Sequence, residues 1–97
     1  MPFEIVLAPE AVEDLKSLTA NVRATVRTAL ETHLRHEPER TSCSRIKRLQ
    51  GLLRPQYRRR VGEIRVFYDV SGATVEILAI VNKSEAESWL AQFADPE

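Results

Sequence analysis

Apolar residues recur every third or fourth position in the first part of the chain and every second position later. Ala11, Val12, Leu15 and Leu18 form one helical stripe, and Val22, Val26, Ala29/Leu30 and His33/Leu34 form a second. A 3.6-residue period brings such positions to one face, so the pattern predicts two amphipathic helices. The first spans Pro9–Leu18, with proline at its start because its fixed φ and missing N–H suit a first turn. Asn21 is the expected cap of the second, and Pro38 ends it. Only a very short turn separates the two, which therefore form a helix hairpin, preceded by a short β-rich run at Phe3–Leu7.

After the polar loop HEPERTSCS the period shortens to two. A strand runs from Gly51 to Val61, a two-residue turn at Gly62-Glu63 has the glycine-first pattern of type II′, and Ile64–Val70 returns antiparallel. Ser71-Gly72 is the next turn, Thr74–Val81 a nearly all-apolar strand, and Glu85–Phe93 a closing helix with Ala86, Trp89, Leu90 and Phe93 on one face. Ser84 followed by Glu87 suggests a capping box. The predicted order is β-α-α-β-β-β-α: an α+β fold, one domain over residues 1–97, with an antiparallel meander, an N-terminal strand and helix hairpin, and a C-terminal helix.

Net charge is zero over 97 residues, which by itself argues against a polyanionic partner. The distribution reverses that inference. Residues 1–39 carry a net −3 and residues 66–97 a net −5, whereas residues 40–65 carry +8. Such a chain is electrostatically a local anion site. Its one cysteine, Cys43, cannot form an internal disulfide and has no base at a readable spacing, so it reads as a bystander in a reducing compartment. No stretch approaches membrane-spanning length and the N-terminus lacks signal-peptide character, so the expected location is the cytoplasm, with no membrane partner.

Turn parity sorts the arginines. With Gly62-Glu63 at the turn, Val61 opposes Ile64, Arg60 opposes Arg65, Arg58 opposes Phe67 and Gln56 opposes Asp69. Alternation then places Gln56, Arg58, Arg60, Arg65 and Phe67 on one face. Tyr57, Val61, Ile64, Val66, Tyr68 and Val70 take the core face, where Arg59 is a misfit that must snorkel at an edge. Leu78 and Ile80 fall on the arginine side and need cover from the last helix. Opposed arginines repel, and an anion between them removes that cost. The plainer reading of any one surface arginine is pairing with a carboxylate. Three converging on one face with only Asp69 nearby point instead to phosphate, with Phe67 placed to stack a base.

The segments KRLQG, YRRRVGEIRVFYDV and VEILAIVNK together resemble the RelE/ParE superfamily of bacterial toxins, and the resemblance covers essentially the whole chain. It implies the toxin of a type II toxin–antitoxin system, neutralised by a cognate antitoxin in a hetero-oligomer. A RelE-like member implies an mRNA endonuclease acting in the ribosomal A site by 2′-hydroxyl attack; a ParE-like member implies inhibition of DNA gyrase without bond cleavage. Arg58 and Arg60 match basic strand positions of the RelE-like site and Arg65 matches its arginine on the following strand. Two departures stand out: Ser84 follows Lys83 where RelE-like nucleases place an arginine, and no tyrosine follows.

In-line RNA cleavage needs a base, stabilisation of the phosphorane and an acid. Arginine stays protonated and cannot be the base, so Arg58, Arg60 and Arg65 orient phosphate and stabilise its charge, and Lys83, beside a cation cluster, is the candidate proton-transfer group. Lys47, Arg48, Arg54 and Phe67 are candidate RNA-binding residues. No His/Asp/Glu/Cys ligand set is apparent, so neither metal nor cofactor is expected. His33 and His36 read as surface or capping residues, Trp89 as helix cover, Tyr57 and Tyr68 as core.

Overall fold

The structure, a computed structural model, describes residues 2–42 and 45–97; Cys43 lies outside the described residues. Strand β1 (Glu4–Leu7) leads into helix α1 (Pro9–Ser17) and helix α2 (Ala20–Ala29), which continues as a π-helical turn at Leu30–Leu34. Strands β2 (Ile46–Arg48), β3 (Leu52–Arg54), β4 (Tyr57–Val61), β5 (Ile64–Ser71) and β6 (Thr74–Asn82) follow. A short 3₁₀ turn at Lys83–Glu85 precedes helix α3 (Ala86–Phe93), and a short strand β7 (Asp95–Pro96) closes the chain.

The main sheet has five strands in the order β1-β6-β5-β4-β2. β1 runs parallel to β6, and the other pairs are antiparallel. One face carries the core: Ala11, Leu15, Val26, Leu30 and Leu34 from the helices meet Ile64, Val66, Tyr68, Val75, Ile77 and Ile80 from the sheet. The predicted stripes therefore pack as expected, except that Val22 is exposed. Tyr68 is fully buried, stacks on Tyr57 at 5.4 Å between ring centroids, and donates its hydroxyl to the Pro38 carbonyl at 2.6 Å. A buried phenol needs such a partner. Both tyrosines belong to the core, as the alternation implies.

The hairpin register matches the turn parity: Arg60 pairs with Arg65 and Val61 with Ile64. Gly62 has φ +59, and among the described residues no other residue type has positive φ, which fits a type II′ turn. The next turn sits one residue later than expected. Ser71 pairs with Thr74, so Gly72 (φ +58) and Ala73 make the turn.

Four further expectations need correction. The run from Gly51 to Val61 is two strands, because Pro55 is buried and carries no N–H for a ladder; its first half, β3, pairs with β7 instead. Helix α2 begins two residues earlier than a cap at Asn21 implies, with Thr19 at the cap position and no side-chain cap bond. Ser84 and Glu87 form no capping box, since the 3₁₀ turn holds Ser84 and α3 begins at Ala86 without a side-chain cap. Finally, a β-bulge at Leu78 shifts β6 by one residue between Phe67 and Tyr68. Phe67 thus pairs with Ala79 and Arg65 with Val81, while Ile80 pairs with Val66 and enters the core. The bulge lies where β1 ends, its last pair being Leu7 with Ile77, and Asp14 of α1 accepts the Ile80 N–H at 3.0 Å beyond that end.

Candidate nucleic-acid interface

The face of the sheet opposite α1 and α2 carries the arginines in two ladder rows. Lys47, Arg58, Phe67 and Ala79 lie side by side across four strands, and Arg60, Arg65 and Val81 form the row nearer the turn. Lys47 and Arg60 are exposed, Arg58 is half-buried, and Arg65 is 7% exposed. The Arg65 guanidinium donates to the carbonyls of Gly62 at 2.9 Å and Ile64 at 3.1 Å, which fixes it against the turn. Arg58 Nε is buried without a hydrogen-bond partner among the described residues. Burial first, then the charges of Arg65 and Arg60, hold the Arg58 guanidinium below the usual arginine range. It remains protonated at neutral pH.

Among the described residues, Lys47, Arg58, Arg60, Arg65 and Lys83 make no ion pair. Lys83 is exposed, and its backbone N–H donates to the Glu63 carbonyl at 2.7 Å. The same turn therefore anchors the Arg65 side chain and the Lys83 backbone. Arg58, Arg60, Arg65, Lys47 and Lys83 are the candidates the fold gathers at this end of the sheet.

The other candidates have different employment. Arg54 bridges Asp69 (3.5 Å) and Glu76 (3.0 Å). Arg48 donates to the Gln56 carbonyl at 2.9 Å and lies over the Tyr57 ring at 5.4 Å. Asp69, the one acid expected near the arginines, also accepts the Gln56 N–H at 2.7 Å. Burial raises the Asp69 pKa against the opposing pull of that bond and of Arg54. Phe67 is a correction: it is fully buried, and its ring stacks on Trp89 at 4.9 Å with 5° between planes. A base could reach it only by displacing Trp89, which in turn contacts Phe93 at 5.6 Å. Helix α3 does cover the sheet beside the arginine rows, but over Phe67 rather than Ile80, which lies in the core.

Arg59 turns to the helix side, as alternation demands, but is 7% exposed rather than snorkelled into water. It lines a pocket with His33, Arg45 and the loop after α2. Its two neighbours in sequence gave no hint of that second basic pocket; the one signal was a charged residue at a core-face position.

This α+β fold, a sheet with a helix hairpin on one face and a C-terminal helix, matches the folds of RelE-like toxins. The family model for the ParE toxin of type II toxin–antitoxin systems matches residues 5–87. The chain belongs to that family and is a toxin of the RelE/ParE superfamily. The toxin–antitoxin complex RelBE2 from Mycobacterium tuberculosis is similar at 26% identity and TM-score 0.73, over 84% of this chain and 99% of that one. The archaeal RelE–RelB complex from Pyrococcus horikoshii aligns at 23% identity and TM-score 0.70, over 86% of this chain and 97% of that one. A free double mutant of Escherichia coli toxin RelE aligns at 17% identity and TM-score 0.69, over 92% of each chain. No curated protein sequence matches.

Proposed function

We propose that this toxin binds mRNA at the ribosome and cleaves it by attack of a 2′-hydroxyl on the adjacent phosphate. The observation that carries the reading is the group of Arg58, Arg60 and Arg65 on one face with no carboxylate paired to any of them among the described residues. Guanidinium forks suit phosphate oxygens and the charge that develops on a phosphorane. In this reading Arg58 and Arg60 contact the scissile phosphate, and Arg65, fixed by two turn carbonyls, keeps positive charge at a set position. Lys83 moves the proton, and Lys47 holds the flanking backbone. No protein-held metal enters the scheme: among the described residues no three His, Cys, Asp or Glu side chains gather into a ligand set. A cognate antitoxin is the partner expected of a type II toxin.

A second reading, inhibition of DNA gyrase without cleavage, draws support from the ParE family match and from Ser84 following Lys83 with no tyrosine beyond. Induced expression separates the two. The nuclease reading expects prompt translation arrest with new mRNA 5′ ends inside codons. An SOS response with continuing translation would replace it with the gyrase reading, and absence of any growth defect would overturn both.

A further inference from the structure

Arg59 sits between two arginines of the proposed RNA face but points through the sheet to the other side, where it lines a pocket of about 200 Å³ between the end of α2, the following loop and β4. A guanidinium that is 7% exposed is costly unless its charge is met. Among the described residues it is not: there Arg59 Nε is enclosed without a hydrogen-bond partner and Arg59 makes no ion pair. The next charge, Arg45, has the same sign and likewise no ion pair among them. The pocket's one acid, Glu37, is committed to Arg40 at 2.8 Å.

Among the other lining residues, Ser42 and His33 can act as neutral donors. Ser42 Oγ already accepts the N–H groups of Arg45 (2.9 Å) and Ile46 (3.3 Å), which leaves its own proton to give. His33 is held below the usual histidine pKa, by burial first and then by Arg59 and Arg45 against Glu37, so near neutral pH it offers a ring N–H without adding charge. Two uncompensated cations and neutral donors thus converge on a space smaller than the sites that hold drug-sized ligands. Several oxygens on one small anion meet donors from the helix end, the loop and the strand better than a planar carboxylate does.

We propose that this pocket is a phosphate-binding site, separate from the arginine face, with Arg59 and Arg45 as its charged donors and His33 and Ser42 as its neutral ones. The phosphate is either free or the terminal group of a nucleoside monophosphate. Occupancy answers the buried charge of Arg59 and ties Ser42 and Arg45 to β4.

Inorganic phosphate is titrated into the full chain while the His33 ring resonances are followed by NMR, since binding on the Arg58 face leaves that ring untouched. The expected result is a saturable shift, with His33 titrating at higher pH in the presence of phosphate. Arg45→Gln and Arg59→Gln each weaken the apparent affinity about tenfold or more, the scale of one lost charged hydrogen bond, and Arg58→Gln leaves it unchanged. Should Arg59→Gln not fold, Arg45→Gln, at an exposed residue, carries the comparison alone. Adenosine monophosphate binding more tightly than phosphate assigns the monoester, and the reverse assigns the free ion. The proposal fails if there is no saturation, if both variants bind as wild type, or if acetate gives the same shift at the same concentration.

Discussion

Arg54 and Arg58 bracket Pro55 and reach the same basic stretch of chain, yet they meet opposite fates. At one end of the sheet Arg54 lies between Asp69 and Glu76, and the pair of carboxylates leaves it no spare charge. At the other end Arg58, Arg60 and Arg65 stand together with only carbonyls to receive them, and those carbonyls reach Arg65 alone. A run of nine cations is therefore not one patch. It is a paired, structural end and an unpaired end able to receive an external anion, and the difference is made by where the acids of β5 and β6 fall.

Substitutions can break that contrast. The largest effect is expected from Lys83→Ala, which removes the proton-transfer group and lowers ribosome-dependent cleavage by about 10²- to 10⁴-fold, as seen by primer extension on mRNA; wild-type cleavage by this variant would remove Lys83 from the mechanism. Arg58→Ala lowers cleavage by about 10²-fold or more, the usual scale for losing a preorganised donor to developing charge, with the thermal midpoint maintained. Arg54→Ala gives the converse: cleavage is kept, and stability in urea falls by about 1 kcal/mol or less because its bridges are half-exposed. Equal losses of activity from the two arginines would erase the distinction between the ends.

Trp89→Ala tests the cover beside the unpaired end. Trp89 is half-buried, so the expected cost is about 2 kcal/mol, below the range for a fully buried tryptophan, together with uncovering of Phe67. Denaturant melts and binding of a hydrophobic dye report both. The smallest effect is at the paired end. Because the folded pKa of Asp69 lies above its ordinary value, its contribution favours the fold at low pH and is lost as pH rises through the folded pKa. Asp69→Asn, which keeps an oxygen for the Gln56 N–H, should gain on wild type as pH rises from acid towards neutral; a constant difference across that window would show that burial does not govern this carboxylate.

The hairpin, its turn and the convergence of Arg58, Arg60 and Arg65 were legible because a two-residue glycine turn fixes parity, and parity fixes faces. The helix stripes were legible for the same kind of reason. Contacts set by distant register were not. Arg54 meets Glu76 twenty-two residues away across three strand boundaries, and Phe67 is claimed by a helix whose placement no local pattern dictates. The caps were misread because Asn21 and Ser84 have the right chemistry, but the chain turns helical elsewhere and no cap bond forms. Alternation marks Arg59 as out of place, but nothing local in the sequence marks it as the wall of a second basic pocket.

The extra residue at Leu78 has an evolutionary consequence. Side chains along β6 are dealt alternately to two faces, so the bulge acts as a reading frame for everything from Ala79 to Asn82. Losing Leu78 itself would leave Ala79 opposite Phe67 and Ile80 opposite Val66, whereas straightening the strand with Leu78 kept would send Ile80 out of the core and bring Ala79 and Val81 in. One codon gained or lost in the polar loop after α2 would alter no facing in the sheet, although it would move Ser42 and Arg45 at the Arg59 pocket. Lineages descending from this chain should therefore tolerate loss of Leu78 together with its bulge, whereas a residue added elsewhere between Ala79 and Asn82 should survive only where the strand absorbs it as another bulge.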